Sequence, residues 1–310
     1  MTDTNSRSRV QDLREVLAAG GNLMEHMRRA RQADDNDEVT ILHSYDLQAG
    51  TYVASLSDPA MAELKRKVGK KLAEVFAALG ATVLCEAGVG EATTLAEVVS
   101  HASGVEQVLG FDISLSRLLH ARRHLASRGA KDVRLFTGAL ASIPVPDDAI
   151  DVVYTFHSIE PNGGREREVL TELLRVTEHY LVLVEPSNEL GSAATQARIE
   201  KFRYVKNVHA TLLEMGCRVA RFERWGLDAI PENEAALIVV EKRPRRPGPG
   251  RVRAAAPRLA SPFSKLPLNS RSDCLYSPED GMAFPIIDGI PCLLRSNAII
   301  ATQLDAFDGP

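Results

Sequence analysis

The sequence predicts an α/β chain: a seven-stranded, mostly parallel sheet with helices on both faces, N-terminal helices before it and a small α+β module after it. Three observations predict this. Short apolar runs alternate with helical stretches between residues 81 and 184, a glycine turn follows the first of those runs, and a Pro/Gly/Arg-rich segment separates off residues 258–310.

The elements follow in order. Residues 10–31 place Leu13, Val16, Leu17, Leu23, Met24 and Met27 near helical spacing, and Gly20-Gly21 divides them into two short helices. An acidic patch at 34–38 leads to a segment at 43–52, and residues 59–79 form an amphipathic helix stopped by Gly80. This N-terminal region, 1–80, precedes a central domain at 81–242. Strands are expected at 81–85, 105–111, 133–136, 150–156 and 180–184, and helices at 91–100, 114–127 with Ser114 as N-cap, and 166–176. After a helical stretch at 193–215, the runs 217–225 and 235–241 fit an antiparallel pair closing the edge of the sheet. Residues 243–257 contain Arg-Pro-Arg-Arg-Pro-Gly-Pro-Gly-Arg, which neither a helix nor a central strand tolerates. That linker leaves 258–310 as a module too short for a large core of its own, so it should pack on the central domain.

Composition narrows the function classes. The 310 residues are 45% hydrophobic and 25% charged with a net charge of −4, a globular balance that argues against holding nucleic acid by bulk charge. Cys85, Cys217, Cys274 and Cys292 are far apart and include no CxxC, so neither a zinc knuckle nor a disulfide scaffold is expected. Residues 1–9 lack the apolar stretch of a secretory signal, and no run approaches the roughly 18 apolar residues of a membrane span. A soluble, cytoplasmic protein without membrane contact is the expectation. The sequence leaves oligomeric state open, homodimer included.

The chemistry starts at Glu86-Ala87-Gly88-Val89-Gly90, where a strand runs into a glycine turn that opens a helix. Gly88 and Gly90 permit φ > 0 and close approach of a ligand to the backbone at the carboxyl edge of a doubly wound sheet. A dinucleotide site needs a third glycine where Thr93 stands, and Glu86 would repel a pyrophosphate. A carboxylate before Gly-x-Gly suits a ligand carrying positive charge. Asp112 ends the next strand 26 residues on (112 − 86), where it can accept both ribose hydroxyls or cap the following helix.

The acidic-x-Gly-x-Gly turn, Asp112 and the stretch Gly138-Ala139-Leu140 through Ile143-Pro144 to Asp151-Val152-Val153 together resemble the class I S-adenosylmethionine-dependent methyltransferases. The resemblance spans roughly residues 45–242 and implies a Rossmann-like sheet binding S-adenosylmethionine. It implies donor contacts from Glu86, Gly88, Gly90, Asp112, Ile113, Ala139, Leu140 and Phe156. Ala139 stands where the family often has an acid reaching the adenine amino group, which leaves adenine to backbone groups and to the apolar Ile113 and Leu140. Tyr45 and Tyr52 resemble an N-terminal lid element, in which a tyrosine hydroxyl would bind the methionine carboxylate; the alternative is a helix that merely packs on the sheet.

In that fold the loop after the fourth strand faces the methyl group. Its His157 and Glu160 are therefore candidate proton acceptors, and Glu185, after the fifth strand, shares the same edge. His157 reads equally as a residue packing on adenine or capping the next helix. His26, His101, His120, His124, His179 and His209 fall on helical or surface stretches and are read as non-functional.

Residues 284–294, Phe-Pro-Ile-Ile-Asp-Gly-Ile-Pro-Cys-Leu-Leu, resemble the signature of the Trm112-like family of methyltransferase activators. Ser261-Pro262 occupies the place of its zinc-ligating Cys-Pro, so no metal is expected. The leading reading is transfer to an oxygen or nitrogen of a small-molecule or sugar-containing acceptor. RNA methylation is the alternative, with Arg243, Arg245, Arg246, Arg251, Arg253 and Arg258 offering phosphate contacts, although aromatics make up only 5% of the chain. A non-catalytic binding protein with a vestigial cofactor site is the third.

Overall fold

The computed structural model describes residues 4–130, 132–244 and 256–307. Five helices come first: α1 (Thr4–Ala18), α2 (Leu23–Arg31), α3 (Glu38–Leu47), α4 (Thr51–Ser55) and α5 (Pro59–Leu79). The alternating part follows with β1 (Val83–Ala87), α6 (Thr93–His101), β2 (Gln107–Asp112), α7 (Leu115–Ser127), β3 (Val133–Thr137), β4 (Ile150–Phe156), α8 (Glu166–Val176) and β5 (Thr177–Pro186). Then come α9 (Ala193–Phe202), α10 (Val208–Glu214), β6 (Arg218–Arg224) and β7 (Ala235–Glu241).

The strands form one seven-stranded sheet in the order β3-β2-β1-β4-β5-β7-β6. β1 pairs in parallel with β2 and β4, which carry the parallel pairing on to β3 and β5. β7 inserts antiparallel between β5 and the edge strand β6. Chain order reverses at β1 and β4, so their carboxyl ends open the crevice in which such sheets bind ligands. β4 and β7 are apolar almost without interruption and buried along nearly their whole lengths, as strands covered on both faces must be. One face packs around Phe111, Phe136, Leu170 and Leu181, the other around Leu72, Phe76, Leu95 and Leu118.

α5 shows why its sequence folds so. The Asp58 side chain accepts from the Ala60 N–H, Pro59 stands in the first turn, and Gly80 ends the helix at φ 66°. Its buried stripe is Val68, Gly69, Leu72, Ala73 and Phe76. At Gly69 an added Cβ would lie 2.3 Å from the Glu97 Cβ and 2.7 Å from the Glu97 carbonyl carbon, so the crossing of α5 over α6 requires the missing side chain.

Residues beyond 258 form a second sheet of short strands: β8 (Asn269–Ser270), β9 (Cys274–Ser277), β10 (Met282–Ile287), β11 (Ile290–Pro291) and β12 (Ile299–Ile300). The α+β content expected there is realised as antiparallel strands and two 3-10 turns (Arg295–Asn297 and Leu304–Phe307), with no α-helix among the described residues. The Phe284–Leu294 stretch becomes the β10–β11 hairpin, turning at Asp288 and Gly289. Leu259, Leu268, Leu275, Phe284 and Leu293 share one cluster with the sheet's own core, so this segment completes that core. Leu293 N–H donates to Thr137 Oγ1 at 2.7 Å and Arg134 Nη1 to the Pro257 carbonyl at 2.7 Å, fixing the tail beside β3.

Gly69→Ala should lower stability by about 1–2 kcal/mol, overpacking outweighing the gain in helix propensity. Urea denaturation measures it; an unchanged or raised midpoint would contradict the close crossing.

Candidate active site

The glycine turn is held by the strand beside it. Gly88 and Val89 N–H groups donate to the Phe111 carbonyl at 2.8 and 2.9 Å, and Gly90 N–H donates to Asp112 Oδ2 at 2.9 Å. The other Asp112 oxygen accepts from Ser114 N–H at 2.9 Å, while Ser114 itself caps α7 by accepting from Arg117 N–H. Asp112 is thus both a loop anchor and a cleft residue; burial raises its pKa, with Arg117 and the two N–H donors acting against the rise.

Gly88 sits at φ 77°, and a Cβ there would lie 2.3 Å from the Ser158 Cβ. The close approach at this glycine is therefore made by Ser158, whose hydroxyl donates to the Ala87 carbonyl at 2.7 Å. The turn and the loop after β4 interlock here, and Gly88 also lines the cleft.

Glu86 is buried and accepts from the Tyr154 hydroxyl at 2.7 Å. Burial pushes its pKa up to about 8, the Tyr154 hydrogen bond and the charge of Lys65 opposing. Lys65 donates to Thr94 Oγ1 at 3.0 Å and lies 5.0 Å over the Phe156 ring; burial pulls its pKa down to about 8 despite Glu86.

The sequence-predicted Tyr45, Tyr52, Glu86, Gly88, Gly90, Asp112, Ile113, Ala139, Leu140 and Phe156 all line one cleft. Arg117, which sequence reasoning missed, lies among them. Its guanidinium sits 4.7 Å from the Tyr45 ring and 4.4 Å from the Tyr52 ring, and its Nε donates to the Tyr45 carbonyl at 2.9 Å. It is only 4% exposed, and its Nη2 is buried without a hydrogen-bond partner. The tyrosines reach it because α3 and α4 are tied down: Glu91 accepts from Gly50 and Val53 N–H at 2.8 and 2.7 Å, and Asp46 from both hydroxyls of Ser114 and Ser116.

A second cavity of about 780 Å³ adjoins the cleft, and Tyr45, Tyr52, Lys65, Phe156 and His157 border both. His157 follows β4 at φ 54°, a left-handed conformation uncommon for residues other than glycine. Its Nδ1 bonds Glu160 Oε1 at 2.5 Å, and Asn233 Nδ2 donates to the same oxygen at 3.1 Å. Burial lowers the imidazole pKa, but the hydrogen bond and charge of Glu160 outweigh it, leaving a net rise. Glu160 lines only the second cavity. Glu185 lines neither: Oε1 accepts from Ser158 and Ile159 N–H at 3.0 and 3.3 Å, so this buried carboxylate shapes the loop that carries His157.

One missed residue did leave a signal. Lys65 precedes Val68, Gly69 and Leu72 by three, four and seven residues, a cation on the apolar stripe of α5. Arg117 and Asn233 left none, because their burial depends on the lid and on the β6–β7 loop. Of the tail arginines, Arg243 pairs with Asp148 at 2.9 Å and Arg258 is exposed, while Arg245, Arg246, Arg251 and Arg253 lie outside the described residues. Away from the cleft, Asp151, Glu178 and His179 gather three candidate ligand atoms within 4.8 Å, and Asp151 accepts there from the Thr82 and Val83 N–H groups.

Residues 84–180 match the family described as "Methyltransferase domain". The part of the sheet from β1 into the start of β5 carries a methyltransferase domain. No curated protein matches the chain. Among solved structures, magnesium protoporphyrin IX methyltransferase from Synechocystis PCC 6803 with bound SAH is 15% identical, covering 57% of this chain and 83% of its own at a TM-score of 0.46. A SAM dependent methyltransferase from Aquifex aeolicus is 19% identical, covering 54% and 87% at 0.40.

Glu86 gives this methyltransferase domain a pH signature. A folded pKa of about 8, against an ordinary 4.5, means the folded state holds the extra proton between those values, so ligand-free stability falls as pH rises through that window. Glu86→Gln should flatten the fall when urea midpoints at pH 5.5 and 8 are compared; equal slopes in both proteins would count against a buried Glu86.

Proposed function

We propose that the chain transfers a methyl group from S-adenosylmethionine to an oxygen or nitrogen of a small-molecule acceptor seated in the 780 Å³ cavity. The donor supplies an electrophilic methyl on a sulfonium sulfur; this chain's residues must hold it and prepare the nucleophile.

The cleft fits that donor. Glu86, which burial keeps protonated well above the carboxylate range, gains from a cationic neighbour and takes the α-ammonium. The unpartnered Nη2 of Arg117 takes the carboxylate, and the rings of Tyr45 and Tyr52 hold that guanidinium in line. Asp112 takes the ribose hydroxyls, and Ile113, Ala139 and Leu140 border the adenine.

The observation that carries the reading is the position of His157 on the wall common to cleft and cavity. Glu160 occupies Nδ1, which fixes the tautomer and leaves Nε2 as the basic nitrogen. Asn233 keeps Glu160 in place from the other side. An acceptor hydroxyl or ammonium at the cavity's inner end then loses its proton to His157 as the nucleophile turns toward the donor methyl. The cavity's size is that of a site for a small organic molecule. The RNA alternative, which the Trm112-like resemblance of residues 284–294 supports, would draw on Arg243 and Arg258 among the described residues; Arg243 pairs with Asp148 and Arg258 is exposed.

Calorimetry with S-adenosylmethionine tests the donor half, and absence of binding overturns it. Arg117→Met should weaken binding about 10- to 100-fold, the worth of a charge-assisted hydrogen bond. Methyl-labelled donor offered to hydroxyl- and amine-bearing compounds tests the rest. His157→Asn should keep donor affinity within about threefold and lower kcat by about 10²–10⁴. The wild-type rate should rise with pH along a limb lying above the ordinary histidine range, because the raised imidazole must lose its proton first; a limb at or below that range would remove His157 as base.

A further inference from the structure

The walls of the second cavity say what kind of acceptor it takes. Its apolar lining comes from Leu23 and Met24 of α2, Met61, Leu64 and Val68 of α5, and Ile230 of the β6–β7 loop. α9 adds Arg198 and Lys201 to the lining, one helical turn apart. The acids bordering the cavity, Glu25 and Glu160, are already engaged by Arg29 and by His157 with Asn233. Arg198 and Lys201 make no ion pair among the described residues.

Arg198 is also placed with respect to the proposed base. Its Nε donates to Asn233 Oδ1 at 3.2 Å, while Asn233 Nδ2 reaches Glu160 Oε1 at 3.1 Å and lies 3.3 Å from His157 Nδ1. One amide therefore spans the gap between guanidinium and imidazole. Only Nε of the guanidinium is used in that link, and the Phe202 ring 4.8 Å away supports its flat face.

We infer that the acceptor is an amphipathic anion: an apolar body carrying a carboxylate or comparable oxyanion within about one amide's width of the atom that is methylated. The anion binds Arg198 and Lys201, the apolar body lies on the α2–α5 wall, and the hydroxyl or amine meets His157. This rests on the second cavity being the acceptor site, and it gives Arg198 and Asn233 a joint role in presenting the nucleophile. Neutral or cationic acceptors of similar size are disfavoured by the same two charges.

Two dyes of nearly equal shape separate charge from apolar contact without any need for the donor. 1-Anilinonaphthalene-8-sulfonate is anionic and N-phenyl-1-naphthylamine is neutral. In fluorescence titrations of the full chain at pH 7.5 the anion should bind at least about 10-fold tighter. Raising salt from 50 to 500 mM should erode that preference, and Arg198→Gln combined with Lys201→Gln should abolish it while neutral-dye affinity stays within about twofold. Equal binding of the two dyes by wild type overturns the inference, as does a preference the double variant retains. Loss of both dyes in the double variant would be checked with each single variant, where a preference unchanged in both would also overturn it. Calorimetry with S-adenosylmethionine on the same samples keeps the readings apart, since failure to bind donor sinks the methyl-transfer proposal, whereas indifference to dye charge in a donor-binding protein sinks only this one.

Discussion

The site depends on one buried carboxylate. Asp112 ends β2 and receives Gly90 N–H on one oxygen and Ser114 N–H on the other. Those two bonds lock the turn after β1 to the start of the helix after β2, adding to the strand pairing and to the bonds from Gly88 and Val89 N–H to the Phe111 carbonyl. A buried ionised carboxylate is expensive, and two N–H donors with Arg117 nearby make it tolerable. The same three partners leave Asp112 lining the cleft at the switch point of the sheet. Under the proposed function, one side chain therefore carries both a structural and a ligand role.

The N-terminal helices belong to the site for a similar reason. Glu91 caps α4 from the start of the segment leading into α6, and Asp46 bonds the first turn of α7. Each anchor joins the lid to a residue adjoining the glycine turn or Asp112, so the lid is registered to the donor cleft directly. Arg117 completes this arrangement: its helix comes from the sheet domain, while the rings and the carbonyl that steady it come from α3 and α4. Displacing the lid would free the guanidinium as well as open the cleft.

The alternation of apolar runs and helices made the parallel sheet legible, because a strand buried on both faces has to be apolar throughout. Glycine turn, Asp112 and the Ala139–Leu140 segment were legible too, since each sits at a strand end where backbone geometry limits the residue types. The limits lay where function depends on tertiary contact. Glu185 shares an edge with His157 in sequence terms, yet it faces the loop's N–H groups, and no pattern in residues 180–189 distinguishes those orientations. Asn233 sits between β6 and β7, 76 residues from His157 (233 − 157 = 76), and a lone asparagine in a loop carries no signal. The close approach of Ser158 to Gly88 left no signal either, because those residues meet only through the fold.

The charges in the cleft explain why such a site can remain folded and still be ready for a zwitterionic ligand. Glu86 and Lys65 face each other from β1 and α5 without a direct hydrogen bond between them, each pushed by burial toward its neutral form near pH 8. Arg117 cannot neutralise and is instead spread over two aromatic faces. A ligand bringing one positive and one negative group next to these residues relieves both penalties at once, whereas a ligand bringing only a negative pyrophosphate would relieve one and aggravate the other at Glu86. Under the proposed donor assignment, selection of an amino-acid-bearing nucleoside over a dinucleotide follows from the same desolvated carboxylate that marked the turn in the sequence, and the protein's own stability at neutral pH is what it gives up to keep that carboxylate buried.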